Sequence, residues 1–323
     1  MKPKVIVTQR LSENVMAYMS EHLDCVFWND EMIMPYEILS DRIVDCDGAM
    51  VGGLIVDEAL LSKASKLKAV SAISVGYNNL DIDAMKARGI IGTHTPEVLD
   101  DTVADLILAL MLSTCRRIAE LDGYIRQGKW VSQFGESLFG LDMHHKKLGI
   151  IGMGRIGEKI AKRCKYGFDM DVSYYNRSRK LETESELGID FKPLDILLKE
   201  SDFVVLMVPL TKDTVRMMNR DAFSKMKPTA IFINGSRGQT VVEEDLLEAI
   251  ENGTIWGAAT DVFIQEPIQK NHPFLNQSKI VMSPHIGSAT AETREKMAIT
   301  AAENIVAALS GKTPKYLIPE FKK

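Results

Sequence analysis

An α/β fold carrying two parallel β-sheets is what the sequence predicts, on three observations. Short apolar runs alternate with helix-periodic segments from one end of the chain to the other, the pattern of βαβ units. The 323 residues exceed one ordinary domain of roughly 100–200 residues. The texture changes near residue 100, where one long helical pattern separates two sets of units. The reading is two doubly wound parallel-sheet domains with an interdomain cleft.

Taken in order, residues 4–8, 49–51, 69–72 and 90–92 read as strands of the first set, and residues 14–22 as a helix. Residues 101–117 read as one helix. Asp100 or Asp101 is placed to cap its start, and Arg116 and Arg117 suit the negative end of its dipole. After the loop 128–140, strands are expected at 148–151, 172–175, 203–208, 230–234, 257–260 and 280–282. Helices are expected at 155–165, 193–200, 221–226, 243–253 and 291–310. Asp81 and Asp83 read as turn and cap residues. No internal repeat, low-complexity tract or flexible linker interrupts the series.

Composition narrows the function classes. With 46% hydrophobic and 26% charged residues the chain has the balance of a soluble globular protein. A net charge of -5 gives no electrostatic footprint for nucleic acid or an anionic membrane, so an anionic ligand has to be drawn in by local cations. Cys25, Cys46, Cys115 and Cys164 form no CxxC pair and stand at no metal-ligand spacing from histidine, so no metal site is expected. They suit buried thiols in a reducing compartment. The N-terminus lacks the long apolar core of a secretion signal. The most apolar stretch, 103–115, contains Asp105 and is shorter than the roughly 20 residues that span a bilayer. A cytoplasmic location is the expectation.

The segment from Leu148 to Gly157 runs an apolar strand into Gly152-Met153-Gly154-Arg155-Ile156-Gly157 and on into a helix. Gly152 permits the tight turn, Gly154 lets the backbone approach a pyrophosphate, and Gly157 lets helix and strand pack closely. The helix N-terminus offers N–H groups and a positive dipole end to the phosphates. This is a Rossmann-like dinucleotide site. An NAD-binding site places a carboxylate about 20 residues on, to bond the ribose hydroxyls. Here Asn176 stands there, followed by Arg177, Ser178 and Arg179. Two guanidiniums and a hydroxyl in place of a carboxylate favour a 2′-phosphate, hence NADP(H). The competing reading is that Arg177 and Arg179 are solvated loop cations.

Three further strand ends carry candidate chemistry. Arg237 follows the strand 230–234, Asp261 and then Glu266 follow 257–260, and His285 follows 280–282. Ligands of open α/β sheets bind at the carboxyl ends of strands, so all three belong on the cofactor side. Taken singly, such an Arg is most often an ion-pair partner and such a His structural. Together they fit hydride reduction of a keto acid. Arg237 would take the carboxylate bidentately, His285 would protonate the forming alkoxide, and Glu266 would fix the imidazole.

These segments, together with Ser74-Val75-Gly76-Tyr77 and Pro284-His285-Ile286-Gly287-Ser288, resemble the D-isomer-specific 2-hydroxyacid dehydrogenase family over essentially the whole chain. The resemblance is strongest to members that reduce glyoxylate, hydroxypyruvate and 2-keto-D-gluconate, and Ser71–Tyr77 and His144-His145-Lys146-Lys147 contribute to it. It implies that Arg237, Glu266 and His285 are catalytic and that the backbone around Val75 and Gly76 holds the substrate carboxylate. Gly154, Arg155, Ile156, Val208, Pro209, Thr214, Asp261 and Ser288 would line the cofactor. It further implies a discontinuous, flavodoxin-like substrate domain, 1–99 plus 288–323, around a nucleotide domain 100–287. A homodimer would be built on helix 101–117 and loop 120–147, where Trp130 and Phe134 either cover the partner's cleft or simply pack. Gln239-Thr240 and Ala259-Thr260 depart from the usual family pattern and put fine specificity in question.

Two rivals are weighed against this. One is an NAD-linked, phosphoglycerate-type dehydrogenase, which the missing acid after the second strand disfavours. The other is a non-catalytic nucleotide-sensing protein on the same scaffold, which predicts long disordered arms that the sequence lacks.

Overall fold

A computed structural model describes residues 1–133 and 135–322. Phe134 lies outside the described residues, and Trp130 is exposed. The chain divides into two compact units, Met1–Leu99 with Ala289–Lys323, and Asp100–Ser288, so Ser288 falls in the second.

The first unit holds strands β1 (Lys4–Val7), β2 (Asp24–Val26), β3 (Gly48–Val51), β4 (Ala69–Ala72) and β5 (Ile91–Thr93). They pair in the order β2-β1-β3-β4-β5, every pair parallel. Helices α1 (Glu13–His22), α2 (Tyr36–Arg42), α3 (Glu58–Lys63) and α4 (Ile82–Ala87) connect them. The inner strands β3 and β4 are buried throughout, as strands covered on both faces must be. Three helices begin on oxygen caps: Ser12, Asp57 and Asp81 accept from the N–H groups of Val15, Leu60 and Ala84.

The second unit opens with α5 (Asp100–Cys115) and α6 (Ile118–Arg126). The helix expected over 101–117 ends at Cys115, because Arg117 takes a left-handed backbone (φ 57°) before α6 begins. There follow β6 (Lys147–Ile151), α7 (Arg155–Phe168), β7 (Asp171–Tyr175), α8 (Leu181–Leu187), β8 (Asp190–Phe191), α9 (Leu194–Glu200) and β9 (Phe203–Leu206). Then come α10 (Arg220–Ser224), β10 (Ile231–Asn234), α11 (Glu243–Glu251), β11 (Gly257–Thr260) and β12 (Ile280–Met282). The seven strands run parallel in the order β12-β11-β10-β9-β6-β7-β8. The chain winds outward from β6 to β8, then returns to lay β9 on the other side of β6. The carboxyl ends of β6 and β9 therefore flank the switch point where a doubly wound sheet takes its ligand. One face is packed by α5 and α7, with Ile107, Met111, Ile160 and Cys164 against Ile150, Tyr174 and Ile233. The other is packed around Leu197, Phe223, Phe232 and Ile250.

The last helix, α12 (Ala291–Leu309), belongs to the first unit and lies over β3, β4 and β5 and against α1. It buries Met297, Ala301, Ala302 and Ile305, and the Ser71 hydroxyl donates to the Ala301 carbonyl at 2.9 Å. Among the described residues no helix is long and apolar enough to cross a membrane, and no cluster of His, Cys, Asp and Glu could hold a metal ion.

Candidate active site

The turn after β6 is built as tightly as its glycines suggest. Gly152 has φ 106°, and a Cβ there would meet the Met207 carbonyl oxygen at 2.3 Å, so the turns after β6 and β9 touch at the switch point. A Cβ on Gly157 would meet the Gly152 carbonyl at 2.5 Å. Gly154 differs: among the described residues nothing lies within 4 Å of an added Cβ, and as the N-cap of α7 it makes no side-chain cap hydrogen bond. Open space in front of uncapped N–H groups, with Arg155 and Ile156 in the first turn, is the cradle a pyrophosphate requires. The residues fit a dinucleotide.

The end of β7 is more specialised than its sequence suggests. The Asn176 amide grips the turn, its Oδ1 accepting from the Met153 N–H at 2.7 Å and its Nδ2 donating to the Met153 carbonyl at 3.1 Å. It therefore shapes the glycine loop. Arg179 is not free either. It pairs with Glu184, which also accepts from the Tyr174 hydroxyl at 2.6 Å, and it lies over the Phe191 ring. That hydroxyl in turn accepts from the Lys180 N–H at 2.6 Å, so loop 176–180 is fastened from below. Arg177 is left 79% exposed, with only the exposed Asp213 carboxylate at 3.8 Å among the described residues. Ser178 is exposed beside it. Of the two guanidiniums read from the sequence, Arg179 is ion-paired at close range and Arg177 is not, among the described residues. In the loop after β9, which carries Val208, the Thr214 hydroxyl donates to the Pro209 carbonyl at 2.6 Å and closes the turn.

The ends of β10, β11 and β12 bring the titratable groups together. Asn234 ends β10. Its Oδ1 accepts from the N–H and hydroxyl of Ser236 and its Nδ2 donates to the Arg237 carbonyl, so the turn presenting Arg237 is braced from within. Gly238 admits no side chain, since a Cβ would fall 1.9 Å from the Phe263 carbonyl carbon. Burial pushes the Arg237 guanidinium below its ordinary value, and Glu266 opposes that. A desolvated guanidinium without a paired carboxylate is a binding group for an anion.

Glu266 Oε2 lies 2.6 Å from His285 Nδ1, and its Oε1 accepts from the Phe263 N–H at 2.9 Å. Burial alone would raise the Glu266 carboxyl. The His285 hydrogen bond, the Phe263 N–H and the charge of Arg237 outweigh it and hold the carboxyl below its usual range. With Nδ1 engaged, the other ring nitrogen, Nε2, is the one able to exchange a proton with a substrate. His285 has φ 52°, a left-handed backbone that residues other than glycine adopt uncommonly. Asp261 holds that conformation. Its Oδ1 accepts from the Ser283 hydroxyl (2.6 Å) and the Ile286 N–H (2.8 Å), and its Oδ2 accepts from the Gly287 N–H (2.9 Å). Asp261, which the family resemblance places along the cofactor, anchors in the structure the 283–287 loop that ends beside Ser288.

A model of the D-isomer specific 2-hydroxyacid dehydrogenase NAD binding domain matches residues 108–287. The chain belongs to this family. Over 315 residues it is 43% identical to the glyoxylate/hydroxypyruvate reductase B of Shigella boydii serotype 4, covering 98% of this chain and 97% of that protein. A crystal structure of a protein from Thermus thermophilus superposes with a TM-score of 0.90 at 38% identity, over 98% of this chain and 99% of the other. An NADPH-dependent glyoxylate/hydroxypyruvate reductase of Sinorhizobium meliloti, crystallised with NADP and malonate, gives a TM-score of 0.86 at 30% identity, over 99% and 98%.

As a 2-hydroxyacid dehydrogenase the chain is an oxidoreductase with an NAD-type dinucleotide-binding domain. Its two departures from the usual family pattern serve the local turns. The Thr240 hydroxyl donates to the Arg237 carbonyl at 2.6 Å and contacts Ser236 Oγ at 3.0 Å, and Gln239 Nε2 donates to the Ile264 carbonyl at 3.1 Å. The Thr260 hydroxyl donates to the Val262 carbonyl at 2.6 Å, closing the bend that carries Asp261. Sequence reasoning passed over Asn234, Ser236 and Ser283. The available signal was a cluster of small polar residues directly after apolar strands, where a buried backbone needs partners.

Proposed function

We propose that this dehydrogenase reduces small 2-keto acids to D-2-hydroxy acids with NADPH. The observation that carries the reading is the His285–Glu266 pair, with a partly desolvated Arg237 near enough for its charge to act on Glu266, at the carboxyl ends of adjacent strands. Glyoxylate and hydroxypyruvate are the first candidate substrates, supported by the names of the relatives; 2-keto-D-gluconate is the third.

In this proposal Gly152, Gly154, Arg155, Ile156 and Gly157 hold the pyrophosphate, Arg177 and Ser178 take the 2′-phosphate, and Val208, Pro209, Thr214 and Ser288 line the rest. When bound, the reduced nicotinamide supplies the hydride. Arg237 binds the substrate carboxylate through its guanidinium fork. His285 donates its Nε2 proton to the keto oxygen as that oxygen gains charge. Glu266 holds the ring by Nδ1 and offsets the imidazolium charge before transfer. The exposed apolar residues Ile118, Ile125, Trp130 and Phe139 on and after α6 support the further proposal of a homodimer on this unit.

A steady-state screen of the three keto acids against NADPH and NADH, read by nicotinamide absorbance, tests the reading. NADPH should give the higher kcat/KM, and Arg177→Ala should cut that value at least tenfold while leaving NADH turnover within about twofold. Turnover favouring NADH would overturn the cofactor assignment. No turnover of any keto acid with either cofactor would overturn the function.

A further inference from the structure

Asp100, the first residue of α5, is a buried carboxylate that the proposed mechanism leaves unused. Its side chain is 5% exposed. Oδ2 accepts from Arg155 Nε at 3.0 Å, and Oδ1 is buried without a hydrogen-bond partner among the described residues. A buried carboxylate oxygen with no donor is costly, and a site that served stability alone would satisfy it or carry an apolar side chain. Burial accordingly pushes the Asp100 carboxyl above its ordinary value, and Arg155 opposes only part of that.

What this arrangement provides lies on the arginine. Arg155 directly follows Gly154, beside the open space in front of the α7 N-terminus. Its side chain is 49% exposed, and its only ion pair among the described residues is made through Nε. Asp100 thus tethers the guanidinium at its inner nitrogen and leaves both terminal nitrogens for another anion. Lys159 and Arg163, one and two turns along α7, are instead engaged by Asp101, and Arg163 also by Asp105. Of these three α7 cations on the α5 side, Arg155 alone has no terminal nitrogen engaged by a carboxylate among the described residues.

We propose that Asp100 is a positioning residue that aims Arg155 at the pyrophosphate of the dinucleotide. The inference rests on the proposed NADP(H) site, but it concerns the pyrophosphate common to both nicotinamide cofactors rather than the 2′-phosphate. It predicts a loss confined to ligands that carry a pyrophosphate and transmitted only through Arg155.

The test is fluorescence titration of the full-length protein and its Asp100→Asn, Arg155→Gln and double variants with ADP-ribose, NADPH, NADH and adenosine 2′-monophosphate. Asp100→Asn should weaken ADP-ribose, NADPH and NADH alike by about five- to tenfold. Adenosine 2′-monophosphate should stay within about twofold, with kcat at saturating cofactor nearly unchanged. In the Arg155→Gln background the same substitution should cost less than about twofold, and the thermal midpoint should not fall. Equal weakening of adenosine 2′-monophosphate, a full effect that persists without Arg155, or unchanged ADP-ribose binding would each overturn the proposal. A wild-type protein that binds ADP-ribose and NADH but not adenosine 2′-monophosphate would instead overturn the NADPH reading, with the role of Asp100 still decided by the ADP-ribose titrations.

Discussion

Replacing Asp261 with asparagine removes one charge from the anchor of the His285 loop and keeps its shape. The carboxylate accepts from Ser283 Oγ, Ile286 N–H and Gly287 N–H, all within 2.9 Å. With its amide oxygen toward Ser283 and Ile286, the asparagine turns an NH2 group on the Gly287 N–H. A hydrogen bond to a charged group is worth about 1.5–3 kcal/mol, and a neutral one about half as much. One bond is lost and two are weakened, which comes to about 3–6 kcal/mol of local stabilisation. That is at least as large as the roughly 1–3 kcal/mol cost of a side chain held in the left-handed backbone region, the state of His285. The loop then populates other conformations, and kcat should fall at least tenfold, since each 1.4 kcal/mol is a factor of ten. The assay is kcat with glyoxylate at saturating NADPH, alongside the Kd for NADPH and a urea melt. Stability should drop while the Kd moves less than about threefold. A kcat within twofold of wild type would refute the anchoring argument. A Kd that weakens in step with kcat would show that Asp261 acts on the cofactor instead.

Further outcomes follow from the same geometry. His285→Ala should lower kcat by about two to four orders of magnitude with the Kd for NADPH unchanged, because the ring transfers a proton and need not hold the dinucleotide. Glu266 is held below its ordinary value of 4.5, so its contribution to stability is present above that pH and is lost as pH falls through the depressed value. The Glu266→Gln variant should therefore show a flatter dependence of the urea midpoint on pH below about 4.5 than wild type, and a lower kcat near neutrality. Burial raises the thiols of Cys115 and Cys164 to about 11 and about 12. Neither should react with a thiol reagent at pH 8 in the native protein, and both should react once it is unfolded in urea.

Much of this architecture is legible in the sequence, for an identifiable reason. Strands buried on both faces are written as nearly continuous apolar runs, so β4, β6, β10 and β11 announce themselves, and so do Arg237, Asp261 and Glu266 beyond the last two. The edge strands do not. Asp24-Cys25-Val26 and Asp190-Phe191 are short and partly exposed, and no periodicity marks them. Helices α2, α3, α4 and α8 have only six or seven residues, so their helical period is ambiguous, although α9 and α10 are as short and are still legible. At the site, residue type signals which groups can do chemistry, but not which are already committed. Asn176 and Arg179 read as ligand groups, but the partners that their side chains hold in the structure, Met153 and Glu184, are not written in the sequence. Those partners lie in other elements or several residues away, and spacing alone carries no record of them.

The return of α12 to the sheet begun by β1 sets an order of assembly. During synthesis the first ninety-nine residues emerge well before the helix that shields one face of β3, β4 and β5. The intervening unit, Asp100–Ser288, is contiguous in the chain and can close its core while the earlier strands still wait with that face uncovered. The oldest part of the nascent polypeptide is therefore the last to mature, and it is there that a chaperone would find exposed apolar surface to hold.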